Sequence, residues 1–404
     1  MTAAEPVRPR RVGRNVALLT GCWAFTSTGN VIMATVSSLV GYQLATDKAL
    51  ATLPAGLMWL GTALATVPAS LLMHRFGRRA GFMLGAGIGS VAAALSAAAV
   101  FGGSFALLCL GIGLHGVYNA FSYYFRFAGG EAADEGFRSR AISLVLAGGI
   151  VGAVAGPELS KWTNAAGGPL LFFGPFVAMV GLAFAVMTVA AFVELPRPPA
   201  SALTGGRPLG RIAREPAFVV AVIGGVAAYA VMILLMTVTP LAMLACAHNF
   251  DDAAFVIQWH VLGMFVPAFF TGHLIRRFGI LPVMAAGALL LMGCVGIALA
   301  GVTVANFWAA LTLLGLGWNF LFVGATTLLA EAHSLAERAK AQGFNELMVF
   351  GVAGIASVSS GTLHYYLGWQ ALNLIALIPS GVALVAVLWL ARRRLAPGVP
   401  AVAE

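Results

Sequence analysis

The chain has 404 residues, of which 60% are hydrophobic and only 9% are charged, and its mean hydropathy is +0.93. Because soluble domains carry about 25% charged residues, this composition excludes an ordinary water-soluble domain. The formal net charge of +9 does not indicate nucleic-acid binding, since Lys and Arg lie in short gaps between apolar runs rather than in one basic stretch. The composition indicates a polytopic membrane protein in contact with the lipid bilayer.

Twelve apolar runs of membrane-spanning length follow one another along the chain. One helical crossing of the hydrocarbon core needs ~20 apolar residues. Gly and Pro inside such runs are tolerated, because neighbouring helices satisfy the freed backbone groups. We therefore predict an all-α membrane fold of twelve transmembrane helices, at residues 16–42, 51–73, 80–101, 105–127, 141–159, 169–193, 217–245, 253–275, 280–300, 305–330, 341–360 and 369–395.

The positive charges between these runs predict how the helices are oriented. All Lys and Arg residues except Lys48 and Lys161 fall on the side of the N-terminus. Since loops rich in Lys and Arg stay inside the cell, both termini are expected to be cytoplasmic. The longest polar connection separates six runs from six, so the predicted domains are an N-terminal bundle (1–194), a cytoplasmic linker (195–216) and a C-terminal bundle (217–404).

The two halves of the chain resemble each other at a nearly constant offset. The sequence Arg-Phe-Gly at 75–77 recurs at 277–279, which is 202 residues later, and Asn119 has a counterpart at Asn319, 200 residues later. Two related halves in the same orientation predict two pseudo-symmetric six-helix bundles about an axis along the membrane normal. In transporters built this way the substrate site lies between the halves, near the middle of the membrane.

The loops after the second and eighth helices carry related basic sequences. The first reads Ser-Leu-Leu-Met-His-Arg-Phe-Gly-Arg-Arg at 70–79, and the second reads Gly-His-Leu-Ile-Arg-Arg-Phe-Gly at 272–279. Together with the topology and the repeat, they resemble the signature of the major facilitator superfamily, in which an acidic-basic-x-Gly-basic cluster follows a glycine. His74 stands at the position of the family's carboxylate, which helps to latch the cytoplasmic gate. The resemblance implies a secondary transporter whose gating residues are Arg75, Gly77, Arg78, Arg277 and Gly279.

The fifth helix carries a second pattern of that family. Gly152, Gly156 and Pro157 match the glycine-x-x-x-glycine-proline sequence that is associated with antiporters that export solutes. Small residues one turn apart permit close helix crossing, and proline supplies a bend. The pattern favours export.

Polar side chains within the predicted helices are candidate substrate-binding residues, because the bilayer makes them costly. In the fourth helix His115, Asn119, Ser122 and Arg126 are spaced i, i+4, i+7 and i+11, which places them on one stripe. The alternative is that Asn119 and Ser122 bond to neighbouring helices and that Arg126 reaches the interface. We predict that a neutral or zwitterionic solute is bound by Asn30, His115, Asn119 and Asn319.

Glu346 is a candidate for proton coupling. It lies about one and a half turns inside the eleventh helix. Desolvation disfavours the ionised form of a carboxyl at that depth, which makes Glu346 a candidate carrier of the coupled proton. The alternative is a structural ion pair with Arg338 or Lys340.

Three functions are compatible with these patterns. Proton-coupled export of a drug or metabolite by alternating access leads, and uptake of a nutrient or vitamin-like solute by proton symport or facilitated diffusion is the alternative. A membrane enzyme, such as an acyltransferase using His115 or His364 as base, ranks below both, because no nucleophile or acid is grouped with either histidine. Neither a phosphate-binding loop nor metal-site spacing occurs, so we expect no cofactor. The expected protein is a non-enzymatic monomer of the inner (plasma) membrane.

Overall fold

The computed structural model describes residues 9–133, 137–166, 171–195, 206–334 and 337–395, and they are almost entirely helical. The first half of the chain folds into seven helices, two of which share one crossing. They are α1 (Pro9–Leu44), α2 (Leu53–Phe76), α3 (Arg78–Gly102), α4 (Phe105–Ser122), α5 (Phe125–Ala132), α6 (Arg138–Ala166) and α7 (Phe173–Ala190).

The second half begins with a short helix in the predicted linker and continues with six long or medium helices. They are α8 (Leu209–Ile212), α9 (Pro216–Ala245), α10 (Phe250–Phe265), α11 (Ala268–Phe278), α12 (Ile280–Ala300), α13 (Val304–Glu331) and α14 (Arg338–Leu395). Linker residues 196–205 lie outside the described residues, and the domain boundaries remain a prediction.

The longest helix, α14, is a helical hairpin that crosses twice. Its 58 residues include Gly368, whose φ of 78° and ψ of 178° are non-helical. A straight helix of this length would measure roughly 87 Å, about three times the hydrocarbon thickness. Arg394, at its end, instead pairs with Glu331 at 3.2 Å, just before the helix begins. Both ends of α14 therefore lie at the same side of the bundle, and the backbone reverses at Gly368.

Two further crossings consist of two helices each. α4 and α5 form one continuous apolar span, and α10 and α11 form one span bent by 42°. The bend between α10 and α11 lies at Pro267, which cannot donate a backbone hydrogen bond. Ten described helices are long and apolar enough to span a membrane, and the bent pair adds an eleventh crossing. With α14 crossing twice, the prediction of twelve transmembrane helices is confirmed.

The repeat in the sequence corresponds to a repeat in backbone geometry. Gly77 ends α2 with a φ of 92° and a ψ of 155°, and Gly279 ends α11 with a φ of 90° and a ψ of 163°. Only glycine adopts positive φ of this kind without strain. Arg75 lies over the ring of Phe76 in the first copy, and Arg277 lies over the ring of Phe278 in the second, both at 5.3 Å. The two loops thus share one conformation, as the pseudo-symmetry predicts.

An ion-pair cluster fixes the end of the linker to the start of α14. The Arg207 backbone amide and Nε donate to Glu337 Oε1 at 2.8 and 2.7 Å, and Arg207 Nη1 donates to Glu215 at 2.6 Å. The Arg207 guanidinium, helped by the backbone amide of Ser334, holds the pKa of Glu337 well below its ordinary value. A carboxyl whose pKa is lowered in the folded state stabilises that state above its unfolded pKa, and the contribution is lost as the pH falls through the folded value.

Replacing Glu337 by glutamine should therefore lower the melting temperature at neutral pH, and the difference from wild type should shrink as the pH is lowered below 4.5, the ordinary pKa of the carboxyl. Thermal unfolding of the detergent-solubilised protein over a pH series measures this. A melting-temperature difference that is the same at every pH would contradict the assignment.

Candidate substrate-binding site

A cavity of about 480 Å³ lies at the seam between the two halves. Its wall contains residues of α1, α2, α4, α5 and α6 from the first half and of α9, α10, α11 and α13 from the second. This volume falls in the usual range for small-molecule sites. The position at the seam matches the site predicted from the internal repeat.

Two faces of the bundle are distinguished by their charges. The arginine-rich face contains the helix ends that carry Arg14, Arg78, Arg277 and Arg394, and the opposite face contains Asp47, Lys48, Glu158 and Lys161. α5 and α11, at the arginine-rich face, pack against helices of their own half.

Hydrogen bonds hold the two halves together at the opposite face. Thr52 Oγ1 donates to the carbonyl of Val358 at 3.2 Å and accepts from the amide of Gly361 at 3.0 Å. Thr362 Oγ1 donates to the carbonyl of Ala49 at 3.1 Å. These three bonds thus join the halves at the opposite face.

Aromatic side chains form much of the cavity wall. Phe350 of α14 stacks between two rings of the first half, on Tyr123 at 5.3 Å and 13° and on Trp59 at 5.9 Å and 23°. Tyr229 meets Trp318 edge-to-face at 5.4 Å. Tyr123, Trp59, Tyr229 and Trp318 all line the cavity. Such an arrangement can hold a flat aromatic ligand by stacking.

Tyr123 was not among the predicted site residues, although its spacing in the sequence gave a signal for it. Tyr123 lies four residues after Asn119 and three before Arg126, so it belongs to the same helical stripe. All three residues line the cavity. Phe350 had no comparable signal, because its neighbours Trp59 and Tyr123 come from the other half of the chain.

Three of the four predicted substrate-binding residues line the cavity, and the fourth lies behind its wall. Asn30, Asn119 and Asn319 line the cavity. His115 lies behind Asn30, where its Nε2 is 3.0 Å from Asn30 Oδ1, and its side chain is buried. Its geometry is that of a residue that orients the Asn30 amide rather than one that contacts a ligand.

The symmetry-related asparagines differ in their hydrogen bonds. Asn319 Oδ1 accepts from Thr271 Oγ1 at 2.6 Å, and its Nδ2 donates to the carbonyl of Met264 at 2.7 Å. These bonds connect α13 to both sides of the bend at Pro267. Asn119 Oδ1 is buried and has no hydrogen-bond partner among the described residues. Because an unpartnered buried acceptor is costly, Asn119 is the better placed of the two to bind a ligand.

We expect alanine substitutions at these two positions to have different effects. Asn319→Ala should lower the free energy of unfolding by about 1–3 kcal/mol, because it removes the amide donor of the Met264 carbonyl and leaves the Thr271 hydroxyl with the Pro267 carbonyl alone. Asn119→Ala should change stability little and weaken ligand binding. Thermal unfolding with and without ligand separates the two effects. Equal losses of stability would contradict the distinction.

An ion pair crosses the seam beside the cavity. Arg126 Nη2 of α5 lies 3.7 Å from Glu346 Oε1 of α14. This partner is neither of the two cations, Arg338 and Lys340, considered from the sequence. The side chain of Arg338 lies outside the described residues. The structure therefore connects the predicted proton carrier to the cavity through Arg126.

The glycines of the predicted export pattern pack α6 against α1. A β-carbon added at Gly152 would lie 2.5 Å from Cβ of Ser27, and one added at Gly156 would lie 2.6 Å from Cβ of Val31. Both contacted residues also line the cavity, and Pro157 follows inside α6. Close packing behind the cavity wall accounts for these residues without reference to the direction of transport.

Substitution of these glycines should therefore damage folding. Gly152→Val places its side chain against the backbone of Ser27 and Thr28, and overpacking of this kind costs about 1–3 kcal/mol. Gly181→Val in α7 is the matched control, since nothing lies within 4 Å of a β-carbon there. Thermal unfolding should show a large loss for the first and a small one for the second. Equal stability of the two variants would contradict the packing role.

The predicted gating arginine Arg78 is bound within its own half. Its Nη2 donates to Glu131 Oε1 at 2.7 Å and its Nε donates to Oε2 at 3.1 Å, while its guanidinium lies over the ring of Tyr124 at 5.2 Å. The carboxylate next to the loop is thus supplied by Glu131 at the end of α5. The side chain of His74 lies outside the described residues.

A family model agrees with these features along nearly the whole chain. The model of the Major Facilitator Superfamily matches residues 17–331 and 240–404. The chain belongs to the Major Facilitator Superfamily. It is therefore a multi-pass membrane protein and a secondary transporter rather than an enzyme, as the resemblance implied.

Two proteins that are similar to this chain in sequence are also transporters. The chain is 42% identical over 363 residues to the riboflavin transporter RfnT of Brucella anthropi, a match that covers 89% of this chain and 91% of the relative. It is 29% identical over 391 residues to the uncharacterized MFS-type transporter YdeG of Bacillus subtilis, covering 90% of this chain and 89% of that one.

Solved structures of the superfamily share the fold. The nucleoside transporter NupG superposes with a TM-score of 0.71 at 15% identity, covering 93% of this chain and 99% of that chain. The transporter FucP in its outward conformation superposes with a TM-score of 0.65 at 17% identity, covering 94% and 98%. These matches confirm two six-helix bundles.

Proposed function

We propose that this superfamily member takes up riboflavin, or a closely related uncharged flavin, across a bacterial plasma membrane. The observation that carries the proposal is the seam cavity lined by aromatic side chains of both halves, Trp59 and Tyr123 from the first half and Tyr229 and Trp318 from the second. Riboflavin combines a flat tricyclic ring, which aromatic side chains can stack on, with a hydroxylated chain that amides can bind. The similarity to a riboflavin transporter supports the same substrate.

Uptake is favoured over export by the same comparison. Riboflavin is a vitamin, and a vitamin-like solute is the class of substrate that distinguishes the uptake alternative from drug or metabolite efflux. The glycine pattern in α6, which favoured export from the sequence, is accounted for by packing against Ser27 and Val31. That pattern therefore does not oppose uptake.

We propose that the cavity faces the cytoplasm in this state. By the positive-inside rule the arginine-rich face lies in the cytoplasm, together with both termini. With the halves joined at the opposite face, the cavity then faces inward, ready to release solute.

Glu346 is the proposed proton carrier, since it lies beside the cavity in contact with Arg126. We propose that one copy of the chain, as the two bundles 1–194 and 217–404 joined by the linker 195–216, suffices for transport.

Flux of labelled riboflavin in cells tests substrate and direction together. A bacterial strain that can neither make nor import riboflavin is transformed with the wild-type chain, with Tyr123→Leu as the control. Wild-type cells should accumulate label and grow on low riboflavin, and cells with the variant should do so far less. Net loss of label from preloaded cells would indicate export, and no flux in either direction would contradict the proposed substrate.

A further inference from the structure

The cavity contains one charged side chain among the described residues that line it, and that residue is Arg126. The Nε atom of Arg126 is buried and has no hydrogen-bond partner in the part of the chain that the structure describes. Its guanidinium lies 4.8 Å from the centre of the Phe127 ring, and Tyr123 precedes it on the same face of the α4–α5 span. Because the Arg126 side chain is partly exposed and lines the cavity, its guanidinium can reach a ligand in an otherwise uncharged site with aromatic walls.

The opposing charge lies on the other half of the protein. Glu346 Oε1 is 3.7 Å from Arg126 Nη2, and the two side chains are only 26% (Arg126) and 23% (Glu346) exposed. At this distance the contact is an ion pair rather than a hydrogen bond. Glu346 thus neutralises Arg126 electrostatically while leaving its nitrogen donors largely unused.

We propose that the Arg126–Glu346 pair is a charge filter that makes the site select an uncharged flavin over its phosphate ester. This inference rests on the proposed function. Arg126 can donate a hydrogen bond to a carbonyl oxygen of the flavin ring, a contact that needs no charge on the ligand. A phosphate dianion would have to leave water for a cavity whose one cation is already balanced by Glu346, and an unpaired charge in such a place is costly.

Removing either member of the pair should change the selectivity in opposite directions. Glu346→Gln leaves Arg126 uncompensated, so the affinity for flavin mononucleotide should rise relative to that for riboflavin by about tenfold or more. Arg126→Gln leaves Glu346 uncompensated, so the preference for riboflavin should become stronger. The double variant removes both charges and should return close to the wild-type preference.

The test is equilibrium binding of riboflavin and of flavin mononucleotide to the four purified proteins at alkaline pH, followed by quenching of flavin fluorescence. The measured quantity is the ratio of the two dissociation constants, which cancels a general loss of affinity in any variant. The expected change in the ratio has a different direction for each single variant. If one variant cannot be purified, the ratio measured for the other still tests the proposal.

Three outcomes would overturn the inference in distinguishable ways. Wild-type protein that binds neither flavin contradicts the proposed function and the filter together. Riboflavin binding by wild type with an unchanged ratio in Glu346→Gln or Arg126→Gln contradicts the filter alone. A double variant that behaves like Glu346→Gln also contradicts it, because the selectivity would then not depend on the balance of the two charges.

Discussion

Replacing Glu346 by glutamine should abolish the accumulation of riboflavin driven by a pH gradient. A symporter that moves one proton with a neutral solute can concentrate that solute about tenfold for each unit of pH difference, since one unit is worth about 1.4 kcal/mol. Glutamine cannot bind and release the proton, so the ratio of internal to external riboflavin should fall to about one. Exchange of labelled for unlabelled riboflavin should continue, because it requires no net proton movement.

Proteoliposomes containing the purified protein measure both activities with imposed pH gradients. Glu158→Gln is the matched control. Glu158 pairs with Lys161 at 3.0 Å on the opposite face and has a 58% exposed side chain, so this variant should accumulate riboflavin like wild type. Accumulation by Glu346→Gln equal to that of wild type would remove Glu346 as the proton carrier, and facilitated diffusion or another carboxyl would then have to be considered.

Replacing Tyr123 by leucine should weaken riboflavin binding by about ten- to a hundredfold, since stacking of a heterocyclic base on an aromatic side chain is worth about 1–3 kcal/mol. The loss has two sources. The ring of Tyr123 lines the cavity, and it also stacks on Phe350 across the seam. Leucine keeps an apolar side chain but has no ring face for either contact.

Titration of flavin fluorescence quenching against purified protein measures this effect. Tyr123→Phe keeps the ring and should bind riboflavin within a fewfold of wild type. Tyr365→Leu removes a tyrosine that is 55% exposed and absent from the cavity wall, so it should bind normally. Wild-type affinity in Tyr123→Leu would mean that the ligand does not stack at this wall.

The transmembrane organisation was predictable because it depends on local composition. A run of ~20 apolar residues identifies a crossing wherever it occurs in the chain, and the repeat of 75–77 at 277–279 indicated the pseudo-symmetry. The positions at which a helix bends or ends were harder to predict from the sequence. Pro267 was visible in the sequence, yet proline inside a membrane helix does not by itself determine whether the helix bends or ends, because neighbouring helices can satisfy the freed groups.

The site was only partly predictable, because several of its contacts join distant parts of the chain. Arg126 and Glu346 are both visible as charged residues in apolar runs. Their pairing across the seam joins α5 to α14, which belong to different halves of the chain, and has no local signal in the sequence. The candidate proton carrier was therefore predictable, but its partner was not.

The two asparagines show how a sequence repeat can hide a difference in role. Asn119 and Asn319 occupy equivalent positions, but Asn319 is hydrogen-bonded by Thr271. At the offset of 202 residues that relates the loop sequences, the counterpart of Thr271 is Ala69, which has no side-chain donor. This substitution was a signal in the sequence, and it leaves the Asn119 amide available to a ligand.

Counterflow in proteoliposomes tests directly whether the protein is a riboflavin carrier whose site lies at the seam. Vesicles preloaded with unlabelled riboflavin are diluted into a trace of labelled riboflavin, without a pH gradient. Vesicles with wild-type protein should accumulate label transiently, and vesicles with Tyr123→Leu should accumulate much less. Label that stays at the level of protein-free vesicles, with protein shown to be folded, would contradict the proposed function.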